Sequence, residues 1–156
     1  MPVVERSLLI NAPRDALFDL AQDYGLRLKW DPFLREMRFL DGADEAAVGV
    51  RVSVRAWTGL TMVAEYLTLN RPQLVAMKMV RGPFIFRQFA GSWQFQPHAG
   101  GSTEVTFRYQ FETRWRGLWW LVNPVIAWVF GRDIRRRLWG LKREAEQMDL
   151  RGAPGV

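Results

Sequence analysis

At 156 residues, with 49% hydrophobic and 24% charged side chains, the chain can bury one sizeable core and is composed like a globular protein, not a disordered one. It has no cysteine, which excludes disulfides, thiolate nucleophiles and cysteine-held metals. The net charge of +6 is uneven: from Arg114 to Arg151 nine Arg/Lys stand against four Asp/Glu, so the last quarter of the chain carries most of it.

Val3 to Ile10 reads as a first strand, and Asn11-Ala12-Pro13 as a turn into a helix over Arg14 to Ala21. Proline at a helix start costs nothing, because its missing N–H would have no partner there. A second short helix is expected over Tyr24 to Lys29, closed by Trp30-Asp31-Pro32-Phe33. Strands follow. Met37 and Phe39 alternate with Glu36 and Arg38. Val48, Val50, Val52 and Val54 alternate with Gly49, Arg51, Ser53 and Arg55, the clearest period of two in the chain. Trp57-Thr58-Gly59 reads as a hairpin tip. Thr61–Leu69 and Leu74–Val80 are separated by the turn Asn70–Gln73, and Ile85–Gln96 and Thr103–Arg114 by the turn formers Pro97–Ser102. The period then changes, since Ile134, Leu138, Leu141, Ala145 and Met148 make one apolar stripe on a helix. These elements are expected to form a single domain over residues 1–150, with a frayed tail at 151–156.

Between the two basic clusters lies Gly117–Gly131, uncharged and containing Trp119, Trp120 and Trp128. It falls short of the roughly 20 residues that span a bilayer. Pro124, whose ring crowds the preceding turn, predicts a short helical piece over 118–122 and a longer helix from 124 to 148. Adjacent residues on a helix point about 100° apart, so one of Trp119 and Trp120 should be partly exposed. The basic segment on its own reads as a solvated helix face.

Catalysis needs groups that titrate or attack. The one histidine, His98, sits in a turn, and neither a metal site, a Ser-His-Asp triad nor a Gly-rich phosphate motif can be assembled. No cofactor and no metal are expected. Strand alternation nominates pocket residues instead. Tyr109 shares a face with Val105, Phe107 and Phe111. Phe89 shares one with Gly91, Trp93 and Phe95, and extending that face backwards adds Arg87. Glu65 aligns with Val63, Leu67 and Leu69. Unless a bulge intervenes, Glu65, Arg87 and Tyr109 point inward, and a buried charge needs a partner or a ligand.

Ile10-Asn11-Ala12-Pro13, Leu17-Phe18, Asp23-Tyr24, Trp30-Asp31-Pro32, Arg71-Pro72, Gly91-Ser92-Trp93-Gln94-Phe95 and Gly101-Ser102-Thr103-Glu104-Val105 together resemble the START-like (SRPBCC) superfamily. The likeness is to its polyketide cyclase/dehydrase and coenzyme-Q-binding-protein group and covers about Val3 to Met148. It implies an α+β helix-grip fold, in which a curved antiparallel sheet of about seven strands wraps a long C-terminal helix. Two short helices follow the first strand, and an apolar-ligand cavity lies between sheet and helix. The family includes lipid and quinone carriers, aromatic-polyketide cyclases, hormone receptors and ring-hydroxylase subunits, and fold alone does not choose among them.

The expected function is binding of a small hydrophobic ligand (lipid, quinone or polyketide-like) in a cavity lined by Val52, Val54, Val63, Glu65, Met77, Met79, Arg87, Phe89, Tyr109 and Val125. One alternative is a cyclase or dehydratase using Tyr109, Arg87 and Glu65. Another is an interaction protein whose basic terminal helix docks on a membrane or RNA. Tryptophans in an apolar run rather than along a polar face count against nucleic acid. Tryptophan beside arginine fits transient contact with an anionic membrane, and a homodimer contact is the other use of such a patch. The N-terminus enters a strand with no signal-peptide pattern, which makes cytoplasmic residence, peripheral to membranes, the expectation.

Overall fold

The computed structural model describes residues 2–148, so the expected frayed tail at 151–156 lies outside the described residues. Strand β1 (Val3–Ile10) leads into helices α1 (Arg14–Gln22) and α2 (Tyr24–Trp30). Six strands follow: β2 (Leu34–Phe39), β3 (Arg51–Ala56), β4 (Thr61–Asn70), β5 (Leu74–Arg81), β6 (Phe86–Pro97) and β7 (Thr103–Thr113). The long helix α3 (Trp119–Gln147) ends the described chain.

All seven strands form one antiparallel sheet in the order β1-β7-β6-β5-β4-β3-β2. Every neighbouring pair but β1–β7 is a sequential hairpin. The sheet curves around α3, which is the α+β helix-grip arrangement. On α1, Leu17, Phe18, Leu20 and Ala21 turn inward, and Phe18 meets Phe95 edge-on at 5.5 Å. The start of α2 is capped by the Asp23 carboxylate, which accepts from the Leu26 N–H at 3.1 Å. Arg71, in the β4–β5 turn, donates two 2.8 Å bonds to Asp19 and so ties that hairpin to α1.

Two expectations about elements change. The valine alternation begins three residues too early: Gly49 has φ +86°, Val48 is exposed, and β3 starts at Arg51. Pro124 does not divide the terminal helix, which runs unbroken from Trp119 to Gln147. The bond that proline removes belongs to the Trp120 carbonyl, in an exposed first turn where water can take its place. The same turn is held to the sheet because the Thr113 hydroxyl donates to Asn123 Oδ1 at 3.0 Å.

Further along α3, Ile134, Leu138, Leu141 and Ala145 are buried against the sheet as the stripe predicts, and Met148 is exposed. Gly140 is where this helix meets α2: a Cβ there would stand 2.3 Å from the Trp30 carbonyl oxygen. Only the missing side chain allows that approach.

Candidate functional site

Two adjoining hollows lie between α3 and the concave face of the sheet. The outer one, of about 270 Å³, is bounded by the β3–β4 hairpin tip (Trp57, Leu60), the β5–β6 turn (Pro83, Ile85) and α3 (Val125, Val129, Phe130). The inner one, of about 80 Å³, is lined by Met37, Met62, Met77 and Met79 with Trp93, Phe107 and Tyr109. Phe33, Val54, Met62 and Phe89 line both and make the neck between them. Methionines fill irregular space adaptably, so a wall built from four of them can reshape around a guest.

The strands position these side chains. On β7 the alternation holds, and Val105, Phe107, Tyr109 and Phe111 are all buried. On β6, Phe89, Trp93 and Phe95 are buried, and Phe130 of α3 fills the gap between Phe86, Phe89, Tyr109 and Phe111 at 4.9–5.7 Å.

Three nominated residues do not face this space. The register of β6 shifts between Phe86 and Gln88. Phe86 and Phe89 therefore both turn inward, and Arg87 turns out to face Glu112 at 3.6 Å. On β4 the inward face is Met62, Ala64 and Tyr66, not the one carrying Glu65. A shift between Tyr66 and Thr68 returns Leu69 to the core, which is why the apolar spacing misleads. Glu65 consequently pairs with Arg51 at 3.2 Å and Lys78 at 3.7 Å on the outer face, and Val63 lies on that face too. Val52 is buried core beside the hollows. Val54, Met77, Met79, Phe89 and Tyr109 line the inner hollow, and Val125 stands at the outer mouth, largely exposed. His98 is an exposed turn residue, as expected.

Alternation along strands could not reveal the charged cluster at the inner end. Arg27 is 5% exposed, Asp31 2% and Arg137 4%. Arg137 donates through Nε (3.1 Å) and Nη2 (2.9 Å) to Asp31 and through Nη1 to the Tyr109 hydroxyl. Arg27 Nε donates to Asp31 Oδ2 at 3.2 Å. The guanidinium carbons lie over aromatic faces, Arg137 at 4.6 Å from Phe107 and Arg27 at 5.7 Å from Trp93. Burial, together with the like charge of Arg137, pushes Arg27 below its usual value. For Arg137 burial acts in the same sense, but Asp31 and Tyr109 outweigh it and hold the guanidinium above its usual value. Burial pushes the Tyr109 hydroxyl up, so it stays protonated at neutral pH. Nearby, Tyr24 and Tyr66 share a hydroxyl–hydroxyl contact, and burial raises Tyr24 to about 12.

A signal for these residues was present in the chain. Arg27, on α2, and Asp31, at its C-terminal cap, are four apart, and Arg137 falls at i+3 from Ile134, inside the apolar stripe.

The N-terminal half of α3, which bounds the outer mouth through Val125 and Val129, carries large apolar side chains in water. Trp119, Trp120 and Trp128 are 60%, 61% and 67% exposed, so both members of the adjacent pair face out, not one. Leu121 on the same helix and Phe84 in the β5–β6 turn are exposed as well, giving an apolar rim beside the mouth. Arginines sit against it: Arg114 lies 5.0 Å over Phe84 and Arg132 5.9 Å over Trp128. Among the described residues no helix is long and apolar enough to cross a membrane.

No curated protein matches the chain. Among solved structures, a protein of Thermus thermophilus superposes with a TM-score of 0.78 at 19% identity, over 94% of this chain and 99% of its own. A START superfamily protein from Mycobacterium smegmatis does so with 0.77 at 12% identity, over 94% and 98%. The di-domain aromatase/cyclase BexL of the BE-7585A biosynthetic pathway does so with 0.71 at 16% identity, over 94% of this chain and 47% of BexL. At these identities the likeness is one of fold. The family described as polyketide cyclase/dehydrase and lipid transport matches residues 1–146, and with nearly the whole chain so covered, the protein belongs to that START-like family.

Proposed function

We propose that the protein holds a small hydrophobic molecule of lipid, quinone or polyketide type in the paired hollows between sheet and α3. One observation carries this reading: a neck of Phe33, Val54, Met62 and Phe89 joins a methionine-walled interior to an apolar mouth. Ligand sites of roughly 300–1,000 Å³ with mostly apolar walls and a few convergent polar groups are the usual form, and the two hollows together fall at the lower end. Of the three groups nominated for acid/base work, only Tyr109 lines the space, and the Asp31 carboxylate is fully engaged by Arg27, Arg137 and the Phe33 N–H. That arrangement favours holding over turnover. Neutral Nile red should bind with enhanced fluorescence, and Val54→Trp, which fills the neck, should abolish uptake with the far-UV circular dichroism unchanged. Uptake by Val54→Trp equal to wild type would place the ligand elsewhere.

The rim supports a second element, contact with an anionic membrane that lets an apolar ligand pass without crossing water. Exposed tryptophans, with one arginine over Trp128 and another over Phe84, suit the headgroup layer, and each basic residue near such a surface contributes about 1 kcal/mol. Sedimentation with phosphatidylserine vesicles at low salt should carry the protein down, and phosphatidylcholine vesicles should not. Loss of that difference, or its survival in a Trp119→Ala/Trp120→Ala variant, counts against the rim as the docking face.

A further inference from the structure

The inner hollow ends in a charge imbalance. Two buried guanidiniums share one buried carboxylate. The other ionisable groups around them do not correct it. Lys78 lines the hollow but spends its ammonium on Glu65. Asp133, itself buried at 8% exposure, faces the outer hollow; burial raises its carboxyl, Arg137 and then Arg136 and Arg132 act to lower it, and it forms no ion pair within 4.0 Å among the described residues. Tyr24 and Tyr109 are neutral at physiological pH. Within the directly bonded cluster of Arg27, Asp31 and Arg137 one positive charge is therefore left over in a nearly dry site, a costly arrangement unless something negative arrives.

The hydrogen-bond inventory locates where it would arrive. Asp31 has no capacity to spare: Oδ1 accepts from the Phe33 N–H and Arg137, and Oδ2 from Arg27 and Arg137. Arg27 uses Nε on Asp31 and Nη1 on the Ala21 carbonyl, leaving Nη2 without a hydrogen-bond partner among the described residues. The Tyr109 oxygen accepts from Arg137, which frees its own proton to be donated. Both Arg27 and Tyr109 line the hollow.

We propose that the inner hollow is the binding site for the carboxylate of an apolar carboxylic acid, with Arg27 Nη2 and the Tyr109 hydroxyl donating to its two oxygens and the hydrocarbon body lying through the neck. A single negative charge matches the surplus of one, whereas a phosphate dianion overshoots it. This rests on the ligand-cavity reading above, and the experiment keeps the two apart.

Displacement of Nile red from the full-length protein by decanoic acid, decan-1-ol and methyl decanoate is measured at pH 7.5, in 0.15 M and 1 M NaCl. The acid should displace the dye at least ten-fold more effectively than either neutral analogue. The preference should persist in 1 M NaCl, because a buried pair is poorly screened. Arg27→Met, which keeps the one-to-one Asp31–Arg137 pair, should bring the acid down to the level of the alcohol. Tyr109→Phe should reduce the preference three- to ten-fold and leaves the charges in place. Nile red binding with equal displacement by acid and alcohol overturns the carboxylate site and spares the cavity. A preference that vanishes in 1 M NaCl assigns the acid to the surface arginines of the rim and overturns the site as well. An undiminished preference in Arg27→Met overturns the role of Arg27. Failure of the wild type to bind Nile red at all removes the cavity reading and this proposal with it.

Discussion

The two halves of α3 obey opposite rules. From Gly131 to Ala145 the helix turns Ile134, Leu138, Leu141 and Ala145 into the core and leaves Arg135, Arg136 and Arg143 in water. From Trp119 to Val129 it leaves Trp119, Trp120, Leu121, Val125 and Trp128 in water, Ile126 is half-buried against the core, and Phe130 is the first to pack among the aromatic rings of β6 and β7. Burial stabilises the first half at about 25 cal/mol per Å² of apolar surface, and the second half forgoes much of that gain. A contiguous apolar rim with no core to fill fits the contact role proposed for it. One half of the helix holds the fold, and the other is available to whatever approaches the mouth.

The comparison can be tested from its most sensitive point outward. Asp31→Ala strips two buried arginines of their shared carboxylate, and we expect a loss of about 3–5 kcal/mol in chemical denaturation, since an uncompensated buried charge remains. Leu141→Ala, on the buried stripe, should cost about 2–5 kcal/mol through lost burial and the void left behind.

The glycines sharpen the contrast within the same helix. In Gly140→Ala the new methyl meets the Trp30 carbonyl, a backbone atom that cannot swing aside. Overpacking of about 1–3 kcal/mol should therefore exceed the gain of about 1 kcal/mol from alanine's helix preference. Gly131→Ala meets instead the flexible end of Arg6 at 2.9 Å and should be neutral or slightly stabilising. The smallest effect belongs to the exposed half. Trp128→Ala should change unfolding free energy by no more than about 0.5 kcal/mol, although it should weaken vesicle binding. A loss on the scale of Leu141→Ala would show that Trp128 holds the fold, and the contrast between the halves would collapse.

The elements were legible because their periods are clean. The β7 alternation and the stripe of α3 each identify a buried face without help from tertiary structure. Legibility failed where one residue changes phase. The register shifts at Phe86/Gln88 and Tyr66/Thr68 moved Arg87 and Glu65 from the expected interior to the outer face, and nothing in their side chains announces a bulge. The arginine cluster was hidden for another reason. Arg135-Arg136-Arg137 reads as one basic run, yet helical rotation sends its third member inward while the first two stay in water. Pro124 does not break the helix because it stands near the start of α3, where the Trp120 carbonyl it deprives lies in an exposed first turn.

The one non-sequential pairing in the sheet sets an order of assembly. Among the described residues β1 has no strand beside it other than β7: Ile10 faces Thr103, and the Thr103 hydroxyl donates to the Ala12 carbonyl 91 residues away at 2.7 Å. Loop closure over such a span costs entropy that no local contact returns. The hairpins from β2 to β7 can zip up neighbour by neighbour as they leave the ribosome. The first-made strand has to wait until nearly everything else has been synthesised, and it then seals the edge against which α3 packs. The earliest residues of the chain are thus among the last to find their places.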